Sequence, residues 1–124
     1  MVNNGFPKSE HLCGSLCIAS LYKTGHRFVS FPLKVTWRKV DSGDVPVQVL
    51  VWAPKALFKH ATDRNRKRRL MREAYRLEKA PLVEYCEEKD CTIELAFNYM
   101  SKEDRSLDDL RKAVRKAIEK ILKQ

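Results

Sequence analysis

Valine recurs at every second position from Val45 to Val51, and this period of two is the strongest constraint in the chain. Successive side chains on a β-strand point to opposite faces, so one face of this segment is apolar and has to be covered. Its other face carries Gln48, Leu50 and Trp52. An earlier segment alternates in the same way: Val29, Phe31, Leu33, Val35 and Trp37 fall on one side, and Phe28, Ser30, Pro32, Lys34, Thr36 and Arg38 on the other. Pro32 favours an edge strand or a break. The turn sequence Asp41-Ser42-Gly43-Asp44 between the two runs predicts that they pair as a hairpin. A third run places Cys91, Ile93, Leu95, Phe97 and Tyr99 opposite Thr92, Glu94, Ala96 and Asn98.

Helical signals fill the intervals. Ser9 is a candidate N-cap for a first helix running to Tyr22, with Leu12, Leu16 and Ala19 as its apolar stripe and Gly25 as its terminator. After Pro54, a long helix is expected from Leu57 to Glu78, with Pro81 just beyond its end. Glu84 to Asp90 reads as a polar, acidic connection. Ser106 then caps a last helix in a capping box with Asp109, and Leu107, Leu110, Val114, Ile118 and Ile121 give it an apolar face. The order αββ(β)αβα defines an α+β protein, a two-layer sandwich of helices on a sheet. At 124 residues it is one domain, 1–124, with residues 1–7 expected to be flexible.

The charge is concentrated. From Lys59 to Lys79 there are nine basic and three acidic residues, a net +6 of the whole chain's +9. At about 100° per residue, Arg64, Asn65, Arg68, Arg69, Arg72 and Arg76 fall within an arc of about 140°. Leu70, Ala74 and Leu77 lie opposite them, while Arg66 and Lys67 are expected to extend the positive field along the flanks. A solvated helix face commonly alternates sign to form i,i+4 pairs, and here Glu73 and Glu78 are too few to balance the stripe. Crowded guanidinium groups repel one another, and a polyphosphate relieves that repulsion. Arginine rather than lysine favours forked phosphate contacts and stacking on bases. The pattern points to a nucleic-acid-binding helix. A membrane-surface helix is disfavoured because the apolar side is needed to cover the sheet.

No apolar run reaches the roughly 20 residues that span a bilayer, and Met1 to Lys8 lacks the apolar region of a secretory signal. The expected location is cytoplasmic, where Cys13, Cys17, Cys86 and Cys91 stay reduced. Their spacings are not the tight pairs of zinc ribbons. An intrinsic nuclease needs a metal-carboxylate cluster or a histidine-based acid–base pair. His11, His26 and His60 form no spaced pair, Asp63 suits the helix dipole, and Glu94 stands alone on its strand. No catalytic residue and no metal ligand is assigned.

The segment Asp63-Arg64-Asn65-Arg66-Lys67-Arg68-Arg69-Leu70-Met71-Arg72 closely resembles the signature helix of the bacterial ribonuclease P protein component, R-N-R-x-K-R-x-x-R, with Arg68 in place of its Lys. Lys8-Ser9-Glu10, Tyr22-Lys23-Thr24-Gly25, Phe31-Pro32-Leu33 and Pro54-Lys55 match at the expected intervals, so the resemblance covers nearly the whole chain. It implies an accessory subunit of an endoribonuclease whose catalytic centre, using Mg2+, lies in an RNA subunit and removes the 5′ leader of precursor tRNA. By matching position, Arg64, Asn65, Arg66 and Arg69 would bind the RNA subunit. Ile18, Tyr22, Lys34, Arg68 and Arg72 would bind the leader, in a cleft between the first helix and the open sheet face. Ile18 stands where relatives usually carry an aromatic residue and Lys34 where a Tyr is common. Leader contact is therefore expected to lean on charge, with Tyr22, Phe28 or Trp52 for stacking; Tyr22 also reads as a rim residue of the core. The resemblance further implies a left-handed βαβ crossover, against the usual right-handed preference, and a monomer in a 1:1 complex with the RNA. The alternative is a stand-alone RNA-binding module of ribosomal or chaperone type.

Overall fold

The computed structural model describes residues 15–40, 46–103 and 105–123. The expected flexibility of residues 1–7, the Ser9 cap and the Asp41–Asp44 turn lie outside these. The elements run α1 (Ser15–Thr24), β1 (His26–Ser30), β2 (Leu33–Val40), β3 (Val47–Trp52), α2 (Ala61–Glu78), α3 (Ala80–Lys89), β4 (Thr92–Tyr99) and α4 (Leu107–Leu122). The four strands form one mixed sheet in the order β1-β2-β4-β3.

Two features correct the sequence reading. The alternating run around Pro32 is two strands: β1 and β2 pair antiparallel, with Ser30 opposite Leu33 and Phe28 opposite Val35. Phe31 and Pro32 form the turn, and their peptide bond is cis. Because cross-strand partners share a face, the two-residue turn inverts the pattern. Phe28 packs on the core with Leu33, Val35 and Trp37, while Val29 and Phe31 are exposed. The second correction concerns pairing. The expected hairpin of this segment with the valine strand does not form, because β4 lies between them, antiparallel to β2 and parallel to β3. Joining parallel strands requires a crossover, which α2 and α3 supply.

The core lies under one sheet face. Val47, Val49 and Val51 of β3 and Ile93, Leu95, Phe97 and Tyr99 of β4 meet Met71 and Tyr75 of α2 and Leu110, Val114, Ile118 and Ile121 of α4. Each such side chain contributes about 1.5–3 kcal/mol on burial. Ser106 Oγ accepts from the Asp109 amide at 3.2 Å, as the capping box predicts. α2 begins four residues later than expected, since Leu57 and Phe58 donate their amides back to the Pro54 carbonyl in a turn.

The acidic connection expected over Glu84–Asp90 is instead most of α3. Leu82, Val83 and Cys86 are buried, and Glu84, Glu87 and Glu88 lie outward. Pro81 opens this helix rather than terminating the preceding one, because a first-turn proline forgoes an amide that would be unpaired anyway. Among the described residues the other sheet face carries only α1, a partial third layer added to the expected two. Leu21 packs on Ala96, with Ile18, Tyr22 and Leu50 around them. Ala19, expected in the apolar stripe of α1, is exposed.

Candidate nucleic-acid interface

α1 is fixed to the open face by a polar clamp. Arg38 donates through Nε to Glu94 Oε1 at 2.8 Å, and its Nη1 reaches Ser20 Oγ at 2.5 Å and Thr24 Oγ1 at 3.1 Å. Glu94, expected to stand alone, is thus the buried anchor of the helix. Gly25 turns the chain from α1 into β1, its amide donating to the Leu21 carbonyl at 2.7 Å.

Beside α1 the open face forms a groove of about 460 Å³ walled by Ile18, Tyr22, Leu50, Trp52 and Asn98. Tyr22 donates its hydroxyl to Asn98 Oδ1 at 3.1 Å, which fixes the phenol ring at the rim. Trp52 is 49 % exposed. Lys34 is exposed and lies directly cross-strand from Asn98. An apolar floor with two accessible aromatic rings and a neighbouring cation can stack an unpaired base while pairing with its phosphate.

The structure therefore brings Ile18, Tyr22 and Lys34 to one region. Arg68 and Arg72 are not among the groove walls. They sit on α2, which packs on the opposite sheet face and contacts β3, the strand that carries Trp52. Leu50 and Asn98 were not singled out from sequence. Asn98 carried a signal, as the one side-chain amide of its strand, on the same face as Thr92 and Glu94.

The basic helix is more selective than its composition. Lys67, expected on the flank, is buried, with its Nζ 5.6 Å from the Phe58 ring centre and 5.5 Å from that of Tyr99. Arg76 is paired with Glu73. Glu78 faces away from the stripe and binds Arg111 Nε at 2.9 Å and Arg115 Nε at 2.8 Å on α4. Those hydrogen bonds, with Arg115's first, hold its carboxyl below the usual range against the opposing effect of burial.

Arg64 donates to the carbonyls of Phe58 at 2.8 Å and Lys59 at 3.0 Å, tying the helix start to the preceding turn. Arg66 meets Asp63 at 3.3 Å, and Arg68 donates to the side chain of Asn65. Asn65, Arg66, Arg69 and Arg72 are exposed. Partial burial and the charge of Arg68 both push the Arg72 guanidinium below its usual value. Like charge is thus crowded at the stripe's middle, where an anion would relieve it.

Among the described residues no three His, Cys, Asp or Glu side chains converge as metal ligands, and no helix is long and apolar enough to cross a membrane. Glu94 and Glu78, the two most enclosed carboxylates, are both occupied by arginine. Among the described residues, these two carboxylates are therefore not available as ligands of a Mg2+ ion.

The fold and the site together define a class: a small α+β sandwich with an apolar groove on its open sheet face and a cationic helix on the covered side. A family model described as Ribonuclease P matches residues 6–122. The chain is 34 % identical over 118 residues to the ribonuclease P protein component of Porphyromonas gingivalis, covering 94 % of this chain and 86 % of that one. To the same component of Chlorobaculum tepidum it is 34 % identical over 129 residues, covering 96 % and 84 %. The solved structure of the Staphylococcus aureus RNase P protein shares the fold, with a TM-score of 0.68 at 16 % identity over 94 % of this chain and 97 % of that one. The chain belongs to the bacterial ribonuclease P protein component family. It is a subunit of a ribonucleoprotein endoribonuclease that acts in tRNA processing.

Proposed function

We propose that this subunit grips two RNAs with two surfaces. Arg64, Asn65, Arg66 and Arg69 bind the catalytic RNA subunit. Ile18, Tyr22 and Lys34, joined by Trp52 and Asn98, bind the 5′ leader of precursor tRNA, with Arg68 and Arg72 supplying charge to the same strand. The observation that carries this reading is the open-face groove, where Tyr22 is held by Asn98 with Lys34 in the next strand and Trp52 exposed. An apolar groove with exposed aromatic rings suits the stacking of single unpaired bases.

Phosphodiester hydrolysis belongs to the RNA, using Mg2+ that the RNA–protein holoenzyme holds on phosphates. The protein's part is to raise substrate affinity and organise those phosphates. It acts as a cytoplasmic monomer, 1:1 with the RNA. The β3–β4 crossover through α2 and α3 is read as left-handed, as the family resemblance implies.

Reconstitution tests the whole reading. Purified protein added to a cognate catalytic RNA should speed leader removal at low magnesium. Tyr22→Ala should weaken binding of precursor tRNA and leave mature tRNA unchanged. Absence of any stimulation would reduce the chain to a stand-alone RNA binder, and equal losses for both tRNAs would remove the leader from the groove.

A further inference from the structure

The leader-binding face does not end at the groove. Trp52, Asn98, Lys34 and Val29 are successive register partners, one residue from each strand, in a row that crosses the open face from β3 to β1. Three inter-strand steps make this row about 14 Å long. It ends on the edge strand at Val29, which is 55 % exposed.

Val29 also belongs to a second groove, of about 310 Å³, around the β1 edge, lined by Phe28, Val29, Ser30, Phe31, Lys116 and Lys120. Phe31, on the hairpin tip, is 55 % exposed, with the Arg105 guanidinium 4.8 Å from its ring centre. Lys120 places its Nζ 4.6 Å from the Phe28 ring centre. Lys112, Lys116 and Lys120 of α4 and its C-cap Lys123 are all exposed and fall within about 80° of one another around the helix. Two exposed acids accompany them. Asp109 falls within the same arc but in the first turn of the helix, away from Lys116 and Lys120, and Glu119 lies about 20° outside the arc on the Lys112 side.

An exposed apolar edge beside an aromatic tip and a lysine row is the chemistry of a single-stranded polyanion, with a ring for a base and ammonium groups for the phosphates on either side.

We propose that the β1–α4 groove is a distal leader site: the unpaired strand crosses the open face along Trp52, Asn98, Lys34 and Val29, turns over the β1 edge, and lays its phosphates on Lys116 and Lys120 with a base against Phe31. This rests on the leader reading above and extends it. The occupant is the leader rather than the catalytic RNA because the register row from Trp52 to Val29 runs from the first groove to the second, whereas the arginines assigned to the catalytic RNA lie on α2, a different helix of the covered face. The site makes affinity depend on leader length, which a single groove cannot do once it is filled.

The test uses holoenzyme reconstituted with catalytic RNA and a series of precursor tRNAs whose leaders are trimmed from the 5′ end. The wild-type protein should lose affinity in two stages as the leader shortens. The Lys116→Ala/Lys120→Ala double variant, both positions being exposed, should bind the longest leader about 10-fold more weakly and the shortest equally well. Its salt slope on the long leader should fall by about 1.4, at roughly 0.7 per phosphate contact on a single strand. Phe31→Ala should weaken the long leader about 5-fold or more, by loss of stacking.

Equal weakening at every leader length, or a loss of affinity for the catalytic RNA alone, would assign the surface to the RNA subunit and overturn the proposal. No weakening at all would leave the lysines as a solvated helix face and overturn it as well. Trp52→Ala separates the two readings. If it weakens every leader while the lysine variant weakens none, only the distal site fails. If it changes nothing while the lysine variant behaves as expected, the distal site stands and the groove reading fails.

Discussion

Gly25 is the residue on which the open face depends most directly. A Cβ at this position would lie 2.6 Å from the Leu21 carbonyl oxygen and 3.0 Å from that of Trp37, both backbone atoms that cannot rotate away. Its role is close approach: α1 ends against β2 with no room for a side chain. Gly25→Ala should cost about 2 kcal/mol through forced backbone shifts and lower the melting temperature by about 5–10 °C. Calorimetry of the free protein reads this directly, and an unchanged transition would show that the α1–β2 approach is loose. A second residue-scale expectation concerns the thiols. Burial, reinforced by the neighbouring Cys91, pushes the Cys86 thiol up to about 12. A thiol reacts as its thiolate, so iodoacetamide at pH 8 should alkylate half-buried Cys91 first and reach Cys86 only on unfolding. Rapid native labelling of Cys86 would contradict its place on the buried face of α3. The expected cytoplasmic location marked both as reduced thiols; that one is inert follows only from α3, whose residues read as a loop in the sequence.

At the scale of elements, Glu78 couples the two long helices of the covered face. It lies at the end of α2 and receives Arg111 and Arg115 from α4, the latter half in solvent. Since its folded carboxyl titrates below the usual range, the pair stabilises the protein above that range. The contribution is lost as pH falls through the depressed value. Glu78→Gln should therefore lower the urea midpoint at pH 7, by an amount equivalent to less than about 1 kcal/mol given the exposure of its partners. The gap from wild type should close well below the ordinary carboxylate range, and a gap that persists there would assign the loss to packing instead.

The elements differ in how visible they were. α4 and β4 were plain, because an unbroken apolar period and an Ser106–Asp109 cap are local signals. The split of β1 from β2 was not. A two-residue turn puts Ser30 and Leu33 on one face, three positions apart, and thereby shifts the parity of an alternation that reads as continuous through Phe31 and Pro32. The insertion of β4 between β2 and β3 is a non-local pairing choice that no run of alternating residues encodes. α3 was hidden because its outward acids and its leading proline carry the composition of a loop.

For the molecule as a whole, the question is where its positive charge is delivered. The +6 of residues 59–79 is not all at the surface, since Lys67 and Lys79 are buried and Glu73 neutralises Arg76. What faces solvent is Lys59 and a shorter arginine patch from Arg64 to Arg72, and the helical arc of that patch was legible in the sequence. The burial of Lys67 was not, because it needs Phe58 from the preceding turn and Tyr99 from the last strand, brought together only by the fold. Three substitutions separate the roles that follow. Arg69→Ala removes an exposed guanidinium from the surface assigned to the catalytic RNA. It should weaken that complex and flatten its salt dependence by about 1 in slope, with the preference for precursor over mature tRNA intact. Arg72→Ala, one turn away, should leave the catalytic-RNA affinity near wild type and narrow the precursor preference, because its assigned partner is the leader. Lys67→Met, buried between the same two rings, should change stability and leave both salt slopes unaltered. Filter binding across a salt series with catalytic RNA, precursor tRNA and mature tRNA measures all three. If Arg69→Ala and Arg72→Ala alter the same complex to the same extent, the patch is one undivided phosphate surface, and the division of α2 between two RNAs is wrong.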